Sequence, residues 1–249
     1  MTEEAQGGGG QTRTAGGKTG RVFQNNTVES QQSVVQDTVR PDSEMHMLVG
    51  GPYTDASGET HRYGHTAIRV KTPEYDLTYD FGRYGRVTGD MGAEGEGILR
   101  VWSSFTPYIN GEKATGRVTT GFEYNIHRHQ ADKIKAYYDG LIGSARPRPE
   151  MVRGRDAILQ VYQLGSNYHA LGYNCTTLSL DGAKAALPSY ENRSQSFIKP
   201  GDVLNWMETT AMRTVGGGTP TRLFLPANLQ KFLESNPPVR VNGTTVYRR

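Results

Sequence analysis

Residues 75–82 alternate apolar and polar side chains in the way that predicts a half-buried β-strand. Leu77, Tyr79 and Phe81 form the apolar face of this strand, and Asp80 lies on the other face. Similar patterns predict strands over residues 46–56, 64–70, 97–105, 117–127 and 221–225. We therefore expect a β-sheet built mainly from the middle of the chain.

A second periodicity, with apolar residues three or four positions apart, predicts helices. In residues 130–142 it places Ala131, Ile134, Tyr138 and Leu141 on one side of a helix. Further helices are predicted over residues 175–187, 202–210 and 227–235. The predicted helices thus lie in the second half of the chain.

The two central predicted strands can be paired as a hairpin. If residues 71–74 form a four-residue loop, Ile68 lies opposite Leu77 and His65 lies opposite Asp80. Residues that lie opposite each other in antiparallel strands share a face of the sheet. A slip by one residue would place them on different faces. The hairpin therefore predicts a contact between the His65 imidazole and the Asp80 carboxylate.

The composition divides the chain unevenly. Residues 1–45 are rich in Gly, Gln, Thr and Ser, include the glycine run at residues 7–10, and contain almost no aromatic side chains. Such a segment buries too little surface to offset the entropy lost on ordering it, so we expect a flexible or disordered N-terminal arm. Residues 46–190 have the composition of a packed domain, and residues 191–249 are expected to be an extension that packs on it.

Charge and cysteine content narrow the range of functions. The net charge is +3 without a cluster of Lys and Arg, so we expect no nucleic-acid partner. A single cysteine excludes an intramolecular disulfide. We see no apolar stretch of membrane-spanning length and no ordinary secretory signal. We expect a protein made in the cytoplasm that would act elsewhere only if a dedicated secretion machine exported it, with the N-terminal arm as one contact for that machine.

The single cysteine, Cys175, lies where a loop leads into a predicted helix. A helix N-terminus lowers a thiol pKa, so this position suits a nucleophile. Asn174 is placed to cap the helix, and it and Thr176 are candidates for substrate or oxyanion binding. A buried structural cysteine is the alternative, and position alone favours neither interpretation.

His65 is the candidate general base. A carboxylate opposite it, at Asp80, would fix its tautomer and stabilise the imidazolium. The alternative is a strand histidine with a satisfied structural hydrogen bond, and Asp80 alone could be an ordinary turn or surface carboxylate. The predicted pairing of the two residues favours the catalytic interpretation.

Other side chains are weaker candidates. Tyr63, Tyr79 and His169 are placed to line a substrate cleft, although core packing is the favoured interpretation for any single tyrosine. His127 and His129 would lie on one face of a strand and could form half of a metal site. Further ligands at useful spacing are not apparent, so we expect no metal.

Together, three short motifs resemble the circularly permuted branch of the NlpC/P60 papain-like superfamily. They are Gly64-His65-Thr66, Tyr79-Asp80-Phe81-Gly82 and Asn174-Cys175-Thr176-Thr177. In that branch, as in lecithin:retinol acyltransferase-like proteins, the histidine strand precedes the cysteine helix. The resemblance covers residues 46–190. It departs from lipid-acting members at Asp80, where they commonly carry a second histidine.

The resemblance implies an α+β, papain-like fold with an antiparallel sheet packed against the cysteine helix. It implies that residues 46–190 form a catalytic domain in which Cys175 attacks an acyl carbon, His65 transfers protons and Asp80 orients His65. No cofactor is implied. The permuted order favours phospholipid acyl esters as the substrate, and standard-order relatives keep peptidoglycan amides as an alternative.

By analogy, a cytoplasmically made envelope hydrolase suits an exported antibacterial effector, which would have a cognate immunity protein as partner. Two further alternatives remain at this point. One is a non-catalytic binding module on a papain-like scaffold, in which Cys175 is buried and has a normal or raised thiol pKa. The other is a thiol peptidase that acts on a protein tail.

Overall fold

The computed structural model describes residues 40–55, 57–88, 94–152, 157–214 and 220–249. The predicted N-terminal arm lies outside the described residues as far as residue 39. The first strand begins at Ser43, three residues before the predicted strand.

Within these ranges the strands are β1 (Ser43–Gly50), β2 (Tyr53–Thr54), β3 (Thr60–His61), β4 (His65–Lys71), β5 (Asp76–Gly82), β6 (Val87–Thr88), β7 (Glu94–Gly95), β8 (Ile98–Trp102), β9 (Thr119–Ile126), β10 (Arg146–Pro147), β11 (Leu159–Gln163), β12 (Tyr168–His169) and β13 (Gly243–Tyr247). The α-helices are α1 (Phe105–Ala114), α2 (Arg128–Gly143), α3 (Cys175–Ala186), α4 (Trp206–Thr214) and α5 (Pro226–Ser235). Short 3-10 helices occupy Pro149–Met151, Gln195–Phe197 and Pro200–Asp202.

In the described part of the chain, an eight-stranded sheet runs in the order β10-β11-β8-β5-β4-β1-β9-β13. Its neighbouring strands are antiparallel. The strands β4 and β5 lie at its centre, and β13 brings the end of the chain back to one edge. The molecule is therefore an α+β protein, as expected.

Both faces of the sheet are covered. On one face Met47, Ile68 and Tyr79 lie side by side on neighbouring strands, in a core cluster with Ile134 of α2 and Leu178 of α3. Burying a side chain of this kind contributes roughly 1.5–3 kcal/mol. A smaller cluster formed with α1 covers the other face; its buried members are Leu48, Ala67, Tyr108 and Ile109. Because α3 packs in the larger cluster, its cysteine end is held against the centre of the sheet.

The register of the central hairpin differs from the prediction by two residues. Asp80 pairs with Ala67, and Tyr79 pairs with Ile68. The turn occupies residues 72–75. It is closed by the Thr72 Oγ1, which accepts hydrogen bonds from the backbone N–H groups of Glu74 and Tyr75. A shift by two residues preserves the faces of a strand. His65 and Asp80 thus still share a face, as diagonal rather than direct neighbours.

Several elements were not predicted. The predicted strand at 97–105 ends at Trp102, and α1 follows it. Short and largely polar segments form β11 and β13, which their sheet neighbours stabilise. The predicted strand at 221–225 does not form, and its apolar residues are buried without a ladder partner. The predicted helix at 202–210 begins four residues later, at Trp206.

Candidate active site

Cys175 is the first residue of α3, and its position is set by the predicted cap, Asn174. The Asn174 Oδ1 accepts hydrogen bonds from the backbone N–H groups of Thr176 and Thr177, at 3.0 and 3.1 Å. The Asn174 Nδ2 donates to two backbone carbonyl oxygens. Because this amide is fully engaged, Asn174 positions the thiol and does not supply an oxyanion donor.

Thr176 ties the cysteine helix to the histidine strand. Its side chain is fully buried, and its Oγ1 lies 3.0 Å from the Oγ1 of Thr66, the neighbour of His65 in β4. Thr176 thus aligns the two elements and does not line the cavity, in contrast to its expected substrate or oxyanion role.

His65 lies between the thiol and Asp80. Its Nε2 is 2.6 Å from the Asp80 Oδ1, and both side chains are buried. His65 also lies close enough to Cys175 for each group to shift the pKa of the other. Because Asp80 engages Nε2, Nδ1 is the ring nitrogen that remains available to another partner. The structure therefore brings together the three side chains that the sequence singled out.

Two residues that the sequence reasoning missed complete the surroundings of Asp80. The Arg100 Nε donates to the Asp80 Oδ2 at 2.7 Å, and the Arg100 Nη2 binds the same oxygen. The Tyr84 hydroxyl donates to Oδ1 at 2.8 Å. Arg100 lies opposite Asp80 in the β5–β8 pairing. The pairing of those strands was the missing signal, because a single arginine in a predicted strand has no distinguishing pattern.

The pKa shifts follow from this arrangement. Burial alone would lower the pKa of His65, but the charges of Asp80 and Cys175 outweigh it and raise that pKa to about 10. Burial would raise the pKa of Cys175, but the positive His65 lowers it. Burial would likewise raise the pKa of Asp80, but Arg100 and His65 hold it well below its usual range. Near neutral pH these shifts favour a thiolate beside an imidazolium.

Tyr168 is a further residue that the sequence reasoning missed. Its hydroxyl lies 3.8 Å from the Cys175 Sγ, and the backbone N–H of Cys175 is close enough to lower the pKa of that hydroxyl. Burial, and then the charge of Cys175, raise the pKa of Tyr168 well above its usual value, so the hydroxyl keeps its proton. Two donors therefore converge beside the thiol, where a developing oxyanion needs them.

A cavity of about 610 Å³ opens at this site. Cys175, His65 and Asn174 line it, and so does Tyr63, whose hydroxyl donates to the carboxylate of Glu208. Its apolar wall comprises Leu171, Leu204, Phe224, Leu225 and Pro226. Cys175 is itself buried, but it lies at the wall of a cavity that also offers an apolar surface.

The remaining predicted site residues lie outside this cavity. Tyr79 stacks on Tyr138 in the core, with ring centroids 3.9 Å apart. The His169 Nδ1 accepts a hydrogen bond from the backbone N–H of Leu171, and its Nε2 lies 3.4 Å from Glu94. His169 therefore fixes the loop that leads to α3 and does not line the cavity.

The predicted histidine pair is not on a strand. β9 ends before His127, which caps α2, and His129 lies in the first turn of that helix. In the described ranges, the group of three ligand side chains close enough to share a metal ion is Asp55, Glu59 and His61. Asp55 and Glu59 lie in the loop between β2 and β3, and His61 lies in β3. Asp55 is already bonded to Ser57 and His61.

The fold and the site thus define an α+β protein with a buried cysteine on a helix that packs against an antiparallel sheet. Comparisons of the chain with models of protein families, with curated proteins and with solved structures found no match. A search of the described residues found no helix with the length and apolar character that crossing a membrane requires.

Proposed function

We propose that this protein is a cysteine-dependent acyl hydrolase or acyltransferase that acts on bacterial envelope components. One observation carries the proposal: at the wall of a cavity, His65 is hydrogen-bonded to Asp80 and lies close enough to the Cys175 thiol for the two groups to shift each other's pKa. A nucleophile, a base and an orienting carboxylate in this order are the requirements of thiol catalysis. The same residues carry the resemblance to the permuted NlpC/P60 papain-like superfamily, whose fold we propose for residues 46–190.

The proposed reaction begins with the Cys175 thiolate attacking the carbonyl carbon of an acyl ester. The Tyr168 hydroxyl and the Cys175 N–H stabilise the oxyanion, and the C–O bond breaks as His65 protonates the leaving alkoxide. The product is a thioester on Cys175. His65 then takes a proton from water or another acceptor, which attacks the thioester and releases the acyl group as an acid or a new ester.

Arg100 has a defined electrostatic part in this mechanism. Arg100, Asp80, His65 and Cys175 form a chain of alternating charges in the reactive state. Because Arg100 offsets the charge of Asp80, the positive charge of His65 remains available to stabilise the thiolate. Arg100 is therefore a positioning residue, which acts on the nucleophile through two intervening side chains.

We propose phospholipid acyl esters as the substrate class. The apolar wall of the cavity suits an acyl chain, and the thiol lies at the same cavity. The permuted order of His65 and Cys175 supports the same choice by resemblance.

We further propose, by analogy, that the protein is an exported antibacterial effector and that an immunity protein blocks this cavity. Periplasmic expression in a Gram-negative bacterium tests the context: the wild type should arrest growth and Cys175→Ala should not. Equal toxicity of both would contradict an effector role for the thiol.

The activity is tested with a short-chain phosphatidylglycerol and intact-protein mass spectrometry. The wild type should release fatty acid and carry a transient mass increase of one acyl group. Cys175→Ala should do neither, and Arg240→Gln, a change on a separate part of the surface, should behave as the wild type. Cleavage of a peptidoglycan peptide instead of the lipid would make the amide the substrate. An unreactive thiol and no cleavage of either would favour the binding module.

A further inference from the structure

We propose that Arg83 forms an anion-binding subsite beside the Cys175 thiol, and that its ligand is the phosphate group of a phospholipid substrate. The inference rests on the proposed function, because it assigns the part of the substrate that adjoins the scissile ester. It adds a recognition residue that takes no part in the chemistry of the acyl transfer.

The position of Arg83 follows from its contacts. Arg83 directly follows β5 and lines the same cavity as Cys175. Its aliphatic stem packs over Gly95, where an added Cβ would come within 2.6 Å of the Arg83 Cγ. Gly95 pairs with Tyr168 between β7 and β12, and the Tyr168 hydroxyl reaches the thiol. The stem is therefore held on the Tyr168 side of the cavity.

The positive charge of Arg83 acts on the Tyr168 hydroxyl, which lies beside the Cys175 thiol. Burial raises the pKa of Tyr168, and the positive charge of Arg83 opposes that rise. The guanidinium therefore lies within Coulombic range of a hydroxyl that is itself 3.8 Å from the Cys175 Sγ. An anion bound by Arg83 would lie close to the acyl carbon that the thiolate attacks.

Arg83 differs from the other arginines around this site. Arg100 is paired with Asp80, and Arg117, which also lines the cavity, is paired with Glu112. Arg83 has no ion pair or hydrogen bond with any residue in the described ranges. A guanidinium without a carboxylate partner in a cavity is suited to bind phosphate or carboxylate oxygens through two parallel hydrogen bonds.

The other residues that line the cavity favour a lipid phosphate over other anions as the ligand of Arg83. A ligand that satisfies the site needs an acyl chain for the apolar wall, an ester carbon at Cys175 and an anion at Arg83. A glycerophospholipid carries all three within a few bonds of one another. A peptide carboxylate would satisfy Arg83 but would bring no long acyl chain to the apolar wall.

The first test compares the alkylation of Cys175 by iodoacetate and by iodoacetamide. These reagents have nearly the same shape and differ in charge, so the ratio of their rates reports the potential at the thiol. In full-length Arg83→Gln we expect the iodoacetate to iodoacetamide ratio to fall about threefold, because a unit charge several ångströms away is removed. In 1 M salt the difference should shrink.

The control variants for this test are Arg83→Lys, which keeps the charge, and Arg240→Gln, which removes a charge from a different surface cavity. Both should keep the wild-type ratio. A ratio that Arg83→Gln leaves unchanged overturns the subsite. The readout requires no substrate, so it stands apart from the proposed function.

The second test identifies the ligand. Hydrolysis of dihexanoyl phosphatidylglycerol is compared with that of dihexanoylglycerol, which has the same acyl chains and no phosphate. Arg83→Gln should lower kcat/KM about tenfold for the phospholipid, as expected for loss of one charge-assisted contact, and leave that for the neutral lipid within about twofold. Equal loss on both lipids overturns the phosphate assignment.

The two tests separate the inference from the proposed function. A wild type that cleaves neither lipid contradicts the lipid hydrolase, whereas the alkylation ratio still decides whether Arg83 attracts anions to the thiol. Arg83-dependent cleavage of a carboxylate-bearing peptide, without lipid cleavage, overturns the lipid phosphate in favour of a peptide.

Discussion

Two arginine–carboxylate pairs lie close to the same cavity, and only one of them is connected to the thiol. Arg100 binds Asp80, and Arg117 binds Glu112. All four side chains are buried or largely buried. The pairs differ in the further partners of the carboxylate. Asp80 also binds His65 and the Tyr84 hydroxyl, whereas Glu112 binds no histidine in the described part of the chain.

Even the packing of the two pairs is alike. The Arg100 guanidinium lies 3.6 Å from the centroid of the Tyr84 ring, and the Arg117 guanidinium lies 4.6 Å from that of Tyr53. Burial and pairing are thus shared by a pair that contacts His65 and a pair that contacts no histidine among the described residues. The comparison teaches that burial and pairing do not by themselves connect an arginine–carboxylate pair to the thiol, and that the contact with His65 does.

The largest expected effect, on the free energy of unfolding, follows from removing the carboxylate of either pair. Asp80→Asn and Glu112→Gln each leave a buried arginine without its anion, so each should lower the free energy of unfolding by about 3–5 kcal/mol. Only Asp80→Asn should also raise the Cys175 pKa, because His65 loses the anion that keeps it protonated. Urea unfolding and the pH profile of iodoacetamide alkylation measure the two effects. If Glu112→Gln raised the Cys175 pKa equally, the two pairs would not differ in their effect on the thiol.

The two pairs should also differ in how the free energy of unfolding depends on pH, because only one of them contacts His65. His65 has a folded pKa of about 10 and binds more protons in the folded state above its unfolded value of about 6.5, so it lowers stability as the pH rises. Cys175 has the opposite effect up to its unfolded pKa of about 8.5, because its folded pKa is lowered. In the wild type the two effects therefore oppose each other below pH 8.5.

Above pH 8.5 only the His65 effect remains, and we expect the free energy of unfolding to fall by about 2 kcal/mol by pH 10. Urea titrations at pH 7, 8.5 and 10 measure it. His65→Ala should remove this fall and Glu112→Gln should retain it. Stability that is level between pH 8.5 and 10 in the wild type would contradict the raised His65 pKa.

Loss of either arginine gives an intermediate effect on the thiol. Arg100→Gln should raise the Cys175 pKa by about one unit, equivalent to about 1.4 kcal/mol, because Asp80 then offsets the charge of His65. Arg117→Gln, the matched change in the second pair, should leave the alkylation profile where it is. Similar shifts in both variants would mean that overall charge, and not the contact through Asp80, sets the thiol pKa.

The smallest effect is expected from the covering tyrosines. Tyr84→Phe keeps the ring over Arg100 and removes the hydroxyl that donates to Asp80. It should cost about 1 kcal/mol of stability and slow alkylation at neutral pH a few-fold. Tyr53→Phe should change neither quantity, and thermal unfolding with alkylation at pH 7 measures both. An alkylation rate unaffected by Tyr84→Phe would show that Arg100 and His65 suffice to hold Asp80.

Much of the central fold was predictable because its sequence pattern is strong. The alternation at residues 75–82 and the helical spacing of Ala131, Ile134 and Tyr138 agree with β5 and α2. β13 was not predictable, because its exposed polar residues pair with a strand far away in the sequence. The hairpin register was wrong by two residues, since the Thr72 side chain decided where the turn closes.

By itself the sequence determined the residue types of the candidate site and their order. One cysteine follows a helix-capping asparagine, and the periodicity of two along the hairpin places His65 and Asp80 on one face. These are local properties, because capping and strand alternation depend on neighbours in the chain.

Only the tertiary structure decided which other residues join the site. Arg100, Tyr84 and Tyr168 reach it from separate elements through strand pairing and loop packing. It also decided that Tyr79 packs in the core. The physical reason is that pKa values and cavities depend on distances between groups brought together by folding, and those distances leave no pattern along the chain.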